Sequence, residues 1–553
     1  MKVRFASLVL LLSACQNPID ETSITSAFGW DKEKRQEWQL LAPTREGPVR
    51  GQIIQDGAAR AWFGIPFARP PVGELRWKAP LPPERRSGVY EATQHKDPCP
   101  QYSPDFSAVI GNEDCLHLDI VRPAGHHLKK LPVYVWIHGG ANSFEIPRNE
   151  SLGLVNLATK GQMVVVTIRY RLGPLGWFRH EALAGNDGLT NSGNFGTLDI
   201  IRSLRWIRRN IRAFGGDPHR VTISGASAGA TNALTMLLSP EAKGLFHRAI
   251  VQSGAADSFS TEAATASAGN ILAALAVKEG LAADTDAAAA VLARMSAAET
   301  AAWLRGKSPK ELLSVYPKTG GGGIAIPTVF LDGRVIHADG YAAFRNGNWP
   351  NKVPVILGGN MSETKLFLYG SPVFNGETLQ DPAVADLYRL VAGYGSESWN
   401  VRGRDNLARD MSNSGAGGIY TYQFNWGEDD LPAPYQFLYG ASHLMNIDLF
   451  FGNQDGLFSR IAYSEENLPG VRALSDAIIA YTAGFARTGN PNRGRHDLPA
   501  WNSWTAGGEN RGMLLDAKGE TAVLEMNAVP YTAEGVEARL QAEPRADEVR
   551  PHL

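Results

Sequence analysis

The chain has 553 residues, 44% of them apolar and 20% charged, with a formal net charge of −2 at pH 7. That is a globular composition with ample material for a large core, and the length suits one large α/β unit as well as several smaller domains. A near-neutral chain without a basic stripe carries no footprint for nucleic acid, and it has no acidic tail, which leaves small-molecule partners as the expectation.

In chain order, the first segment is a basic stretch, Met1-Lys2-Val3-Arg4, followed by the apolar run Phe5 to Leu12, which stops at small residues. The run is too short to span a bilayer as a helix, and residues 1–14 read as an export signal. Its end, Leu12-Ser13-Ala14-Cys15, resembles the lipobox of bacterial lipoproteins. That implies cleavage before an acylated Cys15 and a lipid-anchored place in the bacterial cell envelope; the plain alternative is a secretory peptide that happens to contain a cysteine. Residues 15–45 are polar and aperiodic and are expected to be anchor and tether, 46–530 the folded domain, and 531–553 a polar tail. In an oxidising compartment Cys99 and Cys115 can pair, closing a loop of about fifteen residues worth ~3 kcal/mol in the chain-entropy model. Two thiols without a Cys-x-x-Cys spacing or a His cluster make a poor zinc site, so no metal is expected.

From Gly47 onward, strand-like and helix-like runs alternate. Leu131–Ile137, Met163–Ile168, Val221–Ile223, Ala249–Val251 and Val353–Leu357 are nearly continuous apolar runs, the pattern of strands covered on both faces. Leu198, Ile201, Leu204, Ile207 and Ile211 share one face of a helix with arginines opposite, and Phe214-Gly215-Gly216-Asp217-Pro218 ends it. The expectation is a mostly parallel sheet flanked by helices, with functional residues at the carboxyl ends of the strands. Residues 256–320 become alanine-rich and close on Gly320-Gly321-Gly322-Gly323, which reads as a helical insertion, either a lid or a structural excursion.

The chemistry centres on Gly225-Ala226-Ser227-Ala228-Gly229, which joins the strand Val221–Ser224 to the helical stretch Thr231–Leu238. Glycines flanking a serine let the chain turn sharply while the hydroxyl projects into a cleft. A serine needs an imidazole to take its proton and an acid to orient that imidazole, in the chain order serine, acid, histidine on such a sheet. Past the last clear strand only His443, His496 and His552 remain; His552 lies at the terminus and His496 in a polar loop, so His443, before the apolar Ile447–Phe451, is the candidate base. Many acids precede it. Glu363, in the loop after Leu357, stands out, against the alternative of a solvated carboxylate. His138-Gly139-Gly140-Ala141 follows a strand end and is a candidate oxyanion loop, with the N–H of Ala228 as a further donor.

These residues, with Phe63-Gly64-Ile65-Pro66-Phe67-Ala68, Glu113-Asp114-Cys115-Leu116, Tyr170-Arg171-Leu172-Gly173, Gly193-Asn194-Phe195-Gly196, the Phe214–Pro218 turn and Gln252-Ser253-Gly254, make a sequence that resembles the type-B carboxylesterases, the family of cholinesterases and bacterial para-nitrobenzyl esterases. The resemblance runs from about Gly47 to Asn492. It implies an α/β-hydrolase fold, cofactor-free ester hydrolysis through an acyl-enzyme, a Ser227–Glu363–His443 triad, oxyanion donors at Gly140, Ala141 and Ala228, and a Cys99–Cys115 disulfide. Four departures stand out: Ala226 where the family has Glu, Ala141 for the third glycine of the loop, Ser362 and Thr364 in the acid motif, and Asn446 where an acid is usual. None removes a triad member, so activity with shifted substrate preference is expected. The loop from Cys99 to Cys115 lacks the tryptophan that holds a quaternary ammonium, which with Ala226 argues against choline esters; Tyr102 and Phe106 either line an entrance or merely pack. The reading from another class is a non-catalytic, cholinesterase-like surface binding protein. The ester itself and the oligomeric state are not encoded in any motif.

Overall fold

The computed structural model describes residues 39–125, 130–145, 150–456, 458–494 and 497–553. The export signal, Cys15, most of the tether and His496 lie outside the described residues. Eleven strands among the described residues form one sheet: β1 Gln52–Ile54, β2 Ala59–Pro66, β3 His117–Pro123, β4 Leu131–Ile137, β5 Val164–Ile168, β6 Gly216–Ala226, β7 Arg248–Gln252, β8 Val355–Asn360, β9 Ile419–Phe424, β10 Gly512–Lys518 and β11 Thr521–Ala528. Their spatial order is β11-β10-β9-β8-β7-β6-β4-β5-β3-β2-β1. The centre, from β5 through β10, is parallel, and antiparallel strands extend both edges. The central parallel strands β4 to β8, save the amino end of β6 and Arg248 of β7, are fully buried, which is why they read as continuous apolar runs rather than alternating ones.

Helices α1 Glu150–Gly161, α2 Phe195–Asn210, α3 Ala228–Leu238 and, late in the chain, α8 Leu468–Thr488 pack around this sheet. In α2 the residues Leu198, Ile201, Leu204 and Ile207 are buried as their spacing requires. The opposite face is only partly arginine in solvent: Arg208 and Arg209 are exposed, but Arg202 is buried, donating to the Phe67 carbonyl at 3.2 Å. Desolvation pushes that guanidinium down to about 10. Two strands are longer than their apolar runs. The irregular start of β6, with a register shift between Gly216 and Val221, absorbs the turn residues, and β8 continues through Gly358-Gly359-Asn360. Those glycines have a steric cause: a Cβ would stand 1.9 Å from the Tyr422 ring at Gly358 and 2.0 Å from Asn400 Oδ1 at Gly359.

The insertion holds α4 Thr261–Lys278, α5 Thr285–Leu292 and α6 Ala297–Arg305, capped by Ser260, Asp284 and Ser296. Its neck is a parallel pairing of Phe259-Ser260 with Phe330-Leu331. Leu272, Leu275, Leu304, Leu313 and Tyr316 bury against Trp77, Phe178 and Phe195 of the main body in one apolar cluster, so the insertion is a packed excursion. Cys99 and Cys115 form a disulfide with Cα atoms 5.1 Å apart. Two expected boundaries move. Leu41–Thr44 already pairs with Gly47–Arg50, so ordered structure starts before residue 46. The terminal 531–553 segment is not simply polar: α9 Ala533–Ala542 and the turn Ala546–Val549 bury Leu540 and Val549 against Tyr388 and Val391 of α7 Pro382–Asn400.

Candidate active site

Strand register brings the chemical residues to one edge. Gly225 of β6 lies opposite Ile137 of β4, and Ala226 opposite Gln252 of β7, so the serine turn and the His138 loop leave the sheet side by side. Ser227 has φ 58° and ψ −127°, a conformation costly for any residue with a side chain and typical of strained functional corners. Its N–H donates to the Gln252 carbonyl at 3.0 Å, and its own carbonyl accepts from Ala230 and Thr231 as α3 begins. The flanking glycines are dictated by packing: a Cβ at Gly225 would lie 2.3 Å from Gly229, and one at Gly229 would lie 2.1 Å from the Ile137 carbonyl. Ala228 is the first residue of α3, so its N–H has no intrahelical acceptor.

The facing loop is strained as well. Gly140, Ala141 and Asn142 all have positive φ, at 103°, 51° and 56°. Gly139 is pressed against the turn, with a Cβ there 3.2 Å from that of Ser227. Three polar groups hold the loop in this shape. Tyr170 Oη donates to the His138 carbonyl at 2.8 Å and to Asn142 Oδ1 at 3.3 Å, Asn232 Nδ2 donates to the same Oδ1 at 2.8 Å, and Gly173 N–H donates to the Asn142 carbonyl at 2.7 Å. Among the described residues no hydrogen bond consumes the N–H of Gly140 or Ala141. His138 stacks on Tyr170 at 4.4 Å; burial pushes its imidazole below the usual range, which favours the neutral ring. The Asn142 amide is thus the keystone, and Asn142→Ala is expected to lower kcat about 10- to 100-fold by letting the loop relax by a fraction of an ångström. Asn142→Gly tests the cause by a kinetic assay: if it restores the rate, backbone strain rather than the amide bonds sets the loop.

His443 and Glu363 meet in the interior. His443 Nδ1 lies 2.5 Å from Glu363 Oε2, with the two side chains 1% and 0% exposed. The other carboxylate oxygen accepts the Asn360 N–H at 2.7 Å. The two loops are also tied by backbone, Ser362 N to Ala441 O at 3.0 Å and His443 N to Glu363 O at 3.3 Å. His443 Nε2 has no hydrogen-bond partner among the described residues, so no bond to Ser227 is formed in this conformation; such bonds often tighten only with substrate bound. The ring is covered by Phe367, at 5.0 Å, and Trp399, at 5.1 Å.

Beneath these groups runs a buried network of neutral side chains. Tyr134 Oη donates to Ser224 Oγ at 2.8 Å, as does Gln252 Nε2 at 3.2 Å; Asn446 Nδ2 donates to Gln252 Oε1 at 3.1 Å and to the Tyr422 hydroxyl at 3.0 Å. Asn360 Nδ2 joins Asn446 Oδ1 at 3.3 Å to the Ser442 carbonyl at 2.6 Å, and Asn400 Nδ2 donates to the Asn360 carbonyl at 3.0 Å. Gln252 therefore touches both the Ser227 turn, through its carbonyl, and the His443 loop, through its side chain. Ala226 is buried among apolar neighbours, and Asn446 keeps the network uncharged. Sequence reasoning did not assign roles to Asn142, Asn232, Gln252, Asn360, Asn400, Phe367 or Trp399. Gln252, Tyr170 and Asn360 stand within motifs visible in the sequence, a usable signal; the others have none.

The carboxylesterase family model matches residues 39–397, a span that includes Ser227 and Glu363. The chain belongs to the carboxylesterase family. Para-nitrobenzyl esterase of Bacillus subtilis is 32% identical to this carboxylesterase over 84% of the chain and 93% of its own length. Fumonisin B1 esterase of Sphingopyxis macrogoltabida is 34% identical over 61% of the chain and 58% of its own length. Among solved structures, a PNB esterase covers 88% of the chain, and 97% of its own chain is matched, with a TM-score of 0.67 and 29% identity; a Geobacillus stearothermophilus carboxylesterase gives 0.65 and 28% over the same shares. The carboxylesterase described here accordingly has an α/β-hydrolase fold and is a carboxylic ester hydrolase.

Proposed function

We propose that Ser227, His443 and Glu363 are the nucleophile, base and orienting acid of an acyl-enzyme esterase. The observation that carries this is the buried 2.5 Å contact between His443 Nδ1 and a Glu363 carboxylate held in turn by a backbone N–H. That contact leaves Nε2 as the ring nitrogen free to act. In this reading Ser227 Oγ attacks the ester carbonyl carbon and its proton passes to His443 Nε2. The oxyanion is met by the N–H groups of Gly140, Ala141 and Ala228. Collapse breaks the carbon–oxygen bond to the alcohol, which leaves with the proton from His443; water then attacks the acyl-serine with His443 again as base, releasing the carboxylic acid and restoring the serine. The Glu363 carboxylate stabilises the imidazolium throughout and keeps its charge.

The test is turnover of short-chain 4-nitrophenyl esters together with stoichiometric labelling by an organophosphate, mapped by peptide mass. Turnover with label on Ser227 is expected. No turnover and no label would instead favour the non-catalytic binding protein. For location, the lipobox-like Leu12–Cys15 supports an exported, lipid-anchored enzyme, and a disulfide agrees with an oxidising compartment. Cys15→Ala is expected to move the protein from the membrane to the soluble fraction on cell fractionation; unchanged membrane association would sink the anchor.

A further inference from the structure

The aromatic pair at the tip of the disulfide loop already holds a cation. Lys318 Nζ lies 5.0 Å from the Tyr102 ring centre and 4.9 Å from that of Phe106, and the two rings are 5.4 Å apart. A cation over two faces is ordered by them. No carboxylate among the described residues lies within ion-pair distance of it; Asp105 in the same loop is turned onto its own Ser103 and Ser107 hydroxyls, at 2.6 and 2.8 Å, and Glu145 pairs with Arg169 at 3.1 Å. The position of Lys318 is tied to the reaction centre by a short chain of contacts. Gly139 abuts Ser227, Gly140 abuts Phe144, and a Cβ at Gly323 would lie 3.3 Å and one at Gly321 3.9 Å from the Phe144 ring. Ile324 N–H donates to Ser143 Oγ at 3.3 Å, and Gly322 packs on the Tyr102 and Ser103 carbonyls. Residues 320–323 bring no side chains, so nothing of their own covers the ground between Lys318 and Phe144.

We infer that Lys318 is a specificity-determining residue, a fixed positive charge one layer outside the oxyanion loop that favours esters carrying a carboxylate away from the scissile bond and disfavours cationic esters. The inference rests on the esterase reading of Ser227. It also gives the aromatic pair a use opposite to cation capture, since the exposed Lys318 already stands over both rings. The anionic group would approach the ammonium from the open side, leaving the ester carbonyl to reach Ser227.

The test compares mono-4-nitrophenyl adipate, which is anionic, with neutral 4-nitrophenyl hexanoate on the full-length enzyme, reading the ratio of the two kcat/KM values. In the native enzyme the KM for the adipate is expected to rise with ionic strength while that for the hexanoate stays flat. Lys318→Glu is expected to lower the ratio about ten-fold at low salt, and Lys318→Arg to keep it. A native ratio insensitive to salt, or the same ratio in Lys318→Glu, overturns the inference. Should Lys318→Glu misfold, Lys318→Gln gives the same comparison without the charge reversal. Failure of the esterase reading would look different, as absence of turnover on the neutral ester.

Discussion

Ser227→Ala is expected to reduce kcat on a 4-nitrophenyl ester by about a million-fold, to the level left by binding and oxyanion stabilisation alone. The change removes one oxygen and nothing that holds the turn. The positive φ of Ser227 is sustained by its backbone bonds to Gln252, Ala230 and Thr231, and by the close fit of Gly225 and Gly229, none of which involves the hydroxyl. Thermal stability should therefore be unchanged within about 0.5 kcal/mol, the range for substitutions that disturb no packing or buried network. Active-site titration should find no reactive sites. Retention of more than about a hundredth of the native rate would mean that another group is the nucleophile.

The second large effect belongs to the acid. Glu363→Gln should lower kcat by about ten-thousand-fold with little change in KM, because an amide cannot serve both of the carboxylate's partners. Oε1 accepts the Asn360 N–H and Oε2 faces His443 Nδ1; an amide must point its NH₂ at one of them. If it turns the NH₂ to the imidazole, Nδ1 must become the acceptor and Nε2 carries the hydrogen, the wrong tautomer for taking a proton from Ser227. Turning it the other way sets two N–H groups against each other at Asn360. Single-turnover kinetics should place the loss in acylation, and a rate within ten-fold of native would remove Glu363 from the mechanism.

Much of this site could be read in the chain because its parts sit in short, locally determined pieces. A serine between two crowded glycines, a strand ending in His-Gly-Gly, and a helix with a regular apolar face each have a cause within a few residues. The buried parallel strands were visible as unbroken apolar runs for the same reason. What was hidden depends on distant partners. The extension of β8 through two glycines is poor strand sequence, and only the Tyr422 ring and the Asn400 amide explain it. Asn142 looks like any loop asparagine until Tyr170 and Asn232 converge on its side chain. Arg202 has the spacing of a solvated arginine but lies buried against the Phe67 carbonyl. The terminal segment is polar on average, and the two anchors it packs against α7, Leu540 and Val549, are too sparse to register as a packing face.

Those anchors have a reach beyond their own neighbourhood. They rest on α7, reinforced by Arg545 beside Asp386 at 3.1 Å and by Tyr394 donating to the Arg539 carbonyl at 3.2 Å. The last two residues of the same helix are Trp399, which covers the His443 ring, and Asn400, which grips the loop that presents Glu363. Residues 533–549 thus serve as a brace for the contact between His443 and Glu363, and trimming or crowding them is expected to be felt in turnover as well as in folding.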